Sequence, residues 1–263
     1  RPRAAMMHSG LTREVNMFSR KAIIAFLVFG LVAGIASADF KVTKTTHRDG
    51  FSVMGRDQPA TDQEEVTWIG ADRLRVDQGD NSVVIRLDTN KMMILHHASQ
   101  SYNAIELPID LNNFLPPQMA EQMLAMMTLE VTVTPSDERQ KIGNWQARRY
   151  DMKMTSQMMT VESTVWATSE VEIDLEAYRR MIAEIIKLQP GASNLAKEMD
   201  KIEGFVISQE SAMTMAMLGD SKIGSTEKVT SIEENDPPVG NYDAPEGYAL
   251  KPFDYMAMMQ EQQ

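Results

Sequence analysis

Methionine is the residue whose type and spacing could do chemistry in this chain. There are 22 methionines in 263 residues, and only three of them, Met6, Met7 and Met17, precede residue 39. Met119, Met123, Met126 and Met127 follow the i, i+4, i+7, i+8 spacing of one helix side. Met152, Met154, Met158 and Met159 form a second group, and Met213, Met215 and Met217 alternate as one face of a strand would. Met256, Met258 and Met259 form the last group. Three readings compete: Met replaces Leu as a flexible core filler, Met lines a deformable apolar cavity, or thioethers hold Cu(I) as soft donors. The copper reading is the weaker alternative, because amphipathic helices and strands produce these same spacings without any metal.

Other reactive groups are sparse. There is no Cys, and beyond residue 38 the only histidines are His47, His96 and His97. His96 and His97 are consecutive, so on a strand they point to opposite faces and cannot share an ion. Asp77, Asp80 and Asn81 crowd oxygen donors into a turn but lack the spacing and closing Glu of a calcium loop. No Gly-x-Ser-x-Gly elbow, His-Glu-x-x-His pair or Gly-rich phosphate loop is present. The expectation is a protein that is not an enzyme, with no catalytic residues, no metal site and no cofactor.

The strongest address signal lies near the start. Arg20 and Lys21 precede a charge-free apolar run from Ala22 to Ile35, and Ala36-Ser37-Ala38 follows. This order is that of a secretory signal peptide cleaved before Asp39. The run has 14 residues, short of the ~20 needed for a spanning helix. Residues 1–16 read as extra sequence upstream of a start at Met17, residues 17–38 as the signal peptide, and the product as a periplasmic protein without a stable membrane anchor. With no Cys there is no residue to acylate and no disulfide framework, so an ordinary core must stabilise the fold. Residues 39–263 carry 21 basic and 36 acidic side chains, a net charge of about −15. A field of that sign repels phosphate backbones, so nucleic acid is not an expected partner.

What would position these residues is a run of strands. Residues 40–47, 51–55, 65–69, 73–77, 82–87, 91–96 and 101–107 alternate or are β-branched, and polar turns separate them. Residues 129–134, 144–154, 158–168, 205–217 and 222–233 continue the pattern. Two helical periods interrupt it. Pro116-Pro117 opens the first, over 117–127. Asp174 is placed to cap the second, in which Leu175, Tyr178, Ile182, Ile185 and Ile186 form one stripe before Pro190-Gly191; residues 193–199 add a further turn or two.

The segment Trp68-Ile-Gly-Ala-Asp-Arg-Leu-Arg-Val-Asp77, with Val84-Ile-Arg-Leu-Asp88 and residues 91–95, resembles the opening meander of LolA-like exported proteins. Asp243-Ala-Pro-Glu-Gly-Tyr248 is similar to their terminal strand signature, with Tyr242 at its aromatic position. Residues 142–150 and 162–166 look more like an uncharacterised branch of that superfamily, which includes lipoprotein carriers and RseB-type sensors. The resemblance implies an α+β fold: a strongly curved antiparallel sheet, an incomplete β-barrel, with helices over its concave face. A single domain is expected over 39–250, followed by a flexible tail over 251–263. The expected function is carriage or sensing of a hydrophobic ligand, be it a lipid, an acylated protein or an apolar peptide. Met119, Met123, Met126, Met127, Met152, Met154, Met213, Met215, Met217, Ile182 and Ile185 are the expected cavity and lid residues.

Overall fold

The structure is a computed structural model that describes residues 39–53, 56–116, 118, 129–156, 159–188, 193–215, 222–256 and 258. These residues lie within one compact unit of the chain. The expected helix over 117–127, with its four methionines, falls outside them apart from residue 118.

Two meanders and one shared strand make up the main sheet. The first meander is β4 (Thr61–Ile69), β5 (Arg73–Gln78), β6 (Asn81–Arg86), β7 (Lys91–His96) and β8 (Ser101–Glu106). The second is β9 (Glu130–Ile142), β10 (Trp145–Thr155), β11 (Met159–Thr168), β12 (Phe205–Met215) and β13 (Lys222–Asn235). Strand β1 (Asp39–Arg48) lies between them, antiparallel to β4 on one side and to β13 on the other. A short β14 (Ala249–Lys251) adds in parallel to β8. The order is therefore β14-β8-β7-β6-β5-β4-β1-β13-β12-β11-β10-β9, a twelve-stranded sheet that does not close on itself. Outside the main sheet, β2 (Phe51–Val53) pairs antiparallel with β3 (Arg56–Gln58). The class is α+β and predominantly antiparallel, as the strand spacing predicts.

Cross-strand partners share a face, which sorts the first meander into two apolar layers. Leu74 opposes Ile85, Ile85 opposes Met92, and Met92 opposes Ile105; this row joins the main core. Val84 opposes Met93 and Leu95 opposes Tyr102, on the other face, where they pack with Trp68 and Tyr242. A sheet covered on both faces explains why Val83-Val84-Ile85 and Met92-Met93 are consecutive apolar residues rather than a strict alternation.

The first described α-helix, α1 (Leu175–Ile186), starts where the sequence predicts. The carboxylate of Asp174 accepts hydrogen bonds from the amides of Glu176 at 3.1 Å and Ala177 at 3.0 Å. Ala177 and Met181 are buried, and Leu175, Tyr178, Ile182 and Ile185 pack on the main core. Helix α2 (Ser193–Met199) runs at the β9 edge. Its Glu198 accepts the Val133 amide proton at 2.8 Å, and Asn194 donates to the Val131 carbonyl at 3.3 Å. Backbone groups of an edge strand that would otherwise recruit another chain are thereby capped. The chain then enters β12 through Gly204 at φ +103°, where an added Cβ would stand 2.3 Å from the Thr168 carbonyl oxygen. Only glycine fits that approach.

Of the expected tail over 251–263, residues 251–256 and 258 are described. Tyr255 is 2% exposed, packs on Leu115, and donates to the Leu188 carbonyl at 3.0 Å. Residues 251–256 are held in place because one buried aromatic ring with a satisfied hydroxyl outweighs the entropy of a short polar segment. Periodicity over so few residues gives no sign of this.

Candidate functional site

The sheet side of the site begins with alternation. In β1, Val42 and Lys44 share a face; their β4 partners are Thr67 and Glu65, and Lys44 also opposes Val229 of β13. These residues, with Glu227, Phe205 and Gln209, form one wall of a cavity of about 800 Å³. Leu175, Tyr178, Ile182, Ala183 and Ile186 of α1 and Ala196 and Met199 of α2 form the other. Small-molecule sites commonly occupy ~300–1,000 Å³ with mostly apolar walls and a few placed polar groups.

The sheet wall carries a cluster of paired polar groups. Lys44 Nζ lies 2.9 Å from Glu227 Oε2 and 3.1 Å from Glu65 Oε1. Burial works against the charge on Lys44, but the two carboxylates outweigh it and hold its pKa above the ordinary lysine value. The Tyr178 hydroxyl also faces this cluster, with its ring against Phe205 at 5.3 Å between centroids. Burial, reinforced by Glu65 and Glu227, pushes its pKa up to about 12. That hydroxyl makes no hydrogen bond to any described residue. On the helical side, Arg179 is committed to the Ile202 carbonyl at 2.5 Å, while Glu176, Arg180, Lys197 and Asp200 are exposed at the rim.

The expected cavity residues divide into three groups. Ile182 lines this cavity, and Ile185 packs on the core beside it. Met152 and Met154 lie on β10, with Met152 buried against Val131, Val133 and Tyr150. Met213 and Met215 lie on β12, half-buried, opposite Val161 and Met159 of β11. None of these four methionines is in the cavity wall; Met199 is, and it stands apart from the methionine groups of the sequence. Strand β11 separates the two pairs, so two strand spacings of ~4.8 Å each intervene, and the cross-strand neighbours of Met152 and Met154 are Ser163 and Val161 rather than sulfur. Met119, Met123, Met126, Met127 and Met217 lie outside the described residues.

Spacing could not reveal Lys44, Glu65 and Glu227, because the triad forms only when β1 pairs with strands from both meanders. The one available signal was charge at positions where β1 and β4 otherwise alternate toward the core.

A second polar cluster has the outline of a nucleophile pair. Ser82 Oγ is 2.6 Å from His97 Nε2 and donates to Asp77 Oδ1 at 2.5 Å; His97 Nδ1 is 2.8 Å from the Tyr248 hydroxyl. Here Asp77 binds the serine instead of orienting the imidazole, and Ser82 is 1% exposed under the C-terminal segment. The arrangement ties that segment to the sheet. It is not laid out for attack on a substrate, which requires an accessible oxygen. His96 faces the other way, bonding Asn81 at 3.0 Å and Asn103 at 2.8 Å. Among the described residues no three His, Asp or Glu side chains converge as a metal centre would require.

Neither a protein-family model nor a curated protein matches the chain. Among solved structures, one similarity is to PNGF-II, at 11% identity and a TM-score of 0.39, covering 85% of this chain and 32% of that one. Another is to the apo haemoglobin receptor HpuA of Kingella denitrificans, at 8% identity and a TM-score of 0.19, covering 82% and 48% respectively. The chain thus spans less than half the length of either, and similarities of this size carry no argument about its function.

Proposed function

We propose that this protein is a periplasmic carrier or sensor that binds a hydrophobic ligand in the cavity between its helices and its sheet. The observation that carries the proposal is the cavity of about 800 Å³ itself, walled by Leu175, Ile182, Ile186, Val42, Phe205 and Val229. Such a volume bounded by apolar side chains suits a hydrocarbon chain or an apolar peptide side chain. In this reading the sheet is strongly curved and the helices stand over its concave face, in the manner of LolA-like proteins. One feature supports the curvature: α2 caps the β9 edge, yet it shares the cavity with β1, from which four strands separate β9. On a flat sheet that separation would be ~24 Å, more than the ~10 Å length of a seven-residue helix. The signal-like segment over 17–38 supports the periplasmic address, and no helix of the described residues is long and apolar enough to cross a membrane.

The test fills the cavity without changing its polarity. Ala183→Trp and Ala196→Trp put bulk into the α1 and α2 walls. Titration with the neutral fluorescent probe N-phenyl-1-naphthylamine should show binding by the wild type and its loss in both variants, with circular dichroism unchanged. Equal binding by wild type and both folded variants would place the ligand elsewhere and end this reading. For the copper alternative, competitive Cu(I) titration is decisive: tight binding that is lost in Met152→Leu/Met154→Leu would replace the carrier reading.

A further inference from the structure

The ion cluster in the cavity has an odd number of charges. Lys44 is the one cation of the sheet wall, while Glu65 and Glu227 are two anions, so this wall carries one net negative charge next to apolar side chains. Lys44 engages one oxygen of each carboxylate. The remaining oxygens, Glu65 Oε2 and Glu227 Oε1, accept no hydrogen bond from any described residue. Gln209 uses its amide nitrogen on Ser211 at 2.9 Å, which leaves its carbonyl oxygen without a donor among those residues. The Tyr178 hydroxyl adds one more open acceptor. Arg179 keeps its charge on the Ile202 carbonyl but is not among the charges that act on Lys44 or Tyr178, and Arg180 and Lys197 are exposed at the solvent rim. Water screens rim charges far more than it does a partly buried pair.

We propose that the cavity selects amphiphiles with a cationic head: a single apolar chain ending in an ammonium group, with the head on Glu65 and Glu227 and the chain along α1. The head would supply both the missing positive charge and the missing donors, and charge-assisted hydrogen bonds of this kind are about twice as strong as neutral ones. A carboxylate or phosphate head would add a third anion beside Lys44, whose charge two carboxylates already share. This assignment rests on the carrier reading and narrows it to a ligand class.

The test is isothermal titration calorimetry of the full chain with three probes that share a tail: decylammonium, decanol and decanoate. Decylammonium is expected to bind at least about tenfold more tightly than decanol, with decanoate the weakest. In Glu65→Gln/Glu227→Gln the advantage of decylammonium over decanol should vanish while decanol binding is retained. Glu227→Gln alone, at the more exposed of the two carboxylates, should reduce it several-fold and serves if the double variant fails to fold. Glu172→Gln, an exposed acid outside the cavity, should leave the advantage intact and separates local recognition from attraction to an acidic protein. Equal binding of all three probes, preference for decanoate, or an advantage that survives both cavity variants would overturn the head-group assignment and leave the carrier reading standing. Failure of every probe to bind would overturn both.

Discussion

The Tyr242 hydroxyl donates a 2.6 Å hydrogen bond to Asp39 Oδ2, joining the first residue of β1 to a loop 203 positions further along the chain. Asp39 is 2% exposed, and its other oxygen lies 3.3 Å from Arg73 Nη2. The Arg73 guanidinium in turn stacks 4.8 Å from the Tyr242 ring. Nearby, Arg75 donates to the Asn241 carbonyl at 2.8 Å and Arg86 to Asp243 at 2.8 Å. The C-terminal segment is fastened over Trp68, Val84 and Met93 by these contacts. Tyr242→Phe keeps the ring and removes the donor from a buried carboxylate, which should cost ~1.5–3 kcal/mol. Urea denaturation of the two proteins gives the difference, and an unchanged midpoint would mean that Arg73 alone satisfies Asp39.

Cleavage before Asp39 would leave this anchored residue as the new N-terminus. N-terminal sequencing of the protein recovered from the cell envelope of its source should therefore begin Asp-Phe-Lys-Val. Recovery of a membrane-bound product that retains Met17 would contradict both the processing and the periplasmic assignment.

Alkaline pH should weaken the fold through the cavity cluster. Tyr178 has a folded pKa of about 12 against 10.0 for the free side chain. Its neutral form is thus favoured by folding, and the associated stability is present below pH 10 and lost as pH rises toward 12. Lys44 is also raised above its ordinary 10.5, so its contribution has the same sign and fades above that value. Denaturation midpoints measured from pH 9 to 12 should fall, and Tyr178→Phe should flatten the decline. In that variant the absorbance change of tyrosinate formation should lose the component that rises near pH 12, while Tyr242, held higher still by burial and Asp39, is unaffected.

Gly204→Ala should be among the most damaging single substitutions in the protein. It combines a positive φ with a Cβ 2.3 Å from the Thr168 oxygen. Backbone at the β11 end must move, at a cost of about 3 kcal/mol or more. Thermal unfolding is the direct measurement, and a melting temperature within a degree of wild type would show that the α2–β12 connection readily adjusts.

How much of this was legible in the sequence depends on the kind of signal each element carries. The cap at Asp174 and the stripe of α1 are local, and both appear where the residues predict. Strand positions in the first meander follow from alternation and turns. Strand β9 extends to Ile142, well past the expected 129–134, because Pro135-Ser-Asp-Glu-Arg-Gln-Lys141 has no apolar period and is held by its ladder with β10. Residues 61–64 join β4 for the same reason, as partners of β1. Trp68 and Trp166 are buried as their size predicts, whereas Trp145 is only half-buried at a strand start. The described methionines of those groups supply core and strand faces without lining the cavity, and the residues that form the ion cluster of its sheet wall are a lysine and two glutamates that strand pairing brings together.

The place of β1 has a consequence for the order of events as the chain folds. Its ladder with β4 can form as soon as residue 69 is available, but its other edge pairs Asp39 with Asn235 and must wait for almost the whole chain. Until then β1 presents a row of unpaired amides and carbonyls, the template on which extended chains associate. Pairings of such sequence separation are slow to form. The interval before β13 arrives is therefore when the protein is most exposed to aggregation, and its large net negative charge is best placed to keep neighbouring copies apart during that time.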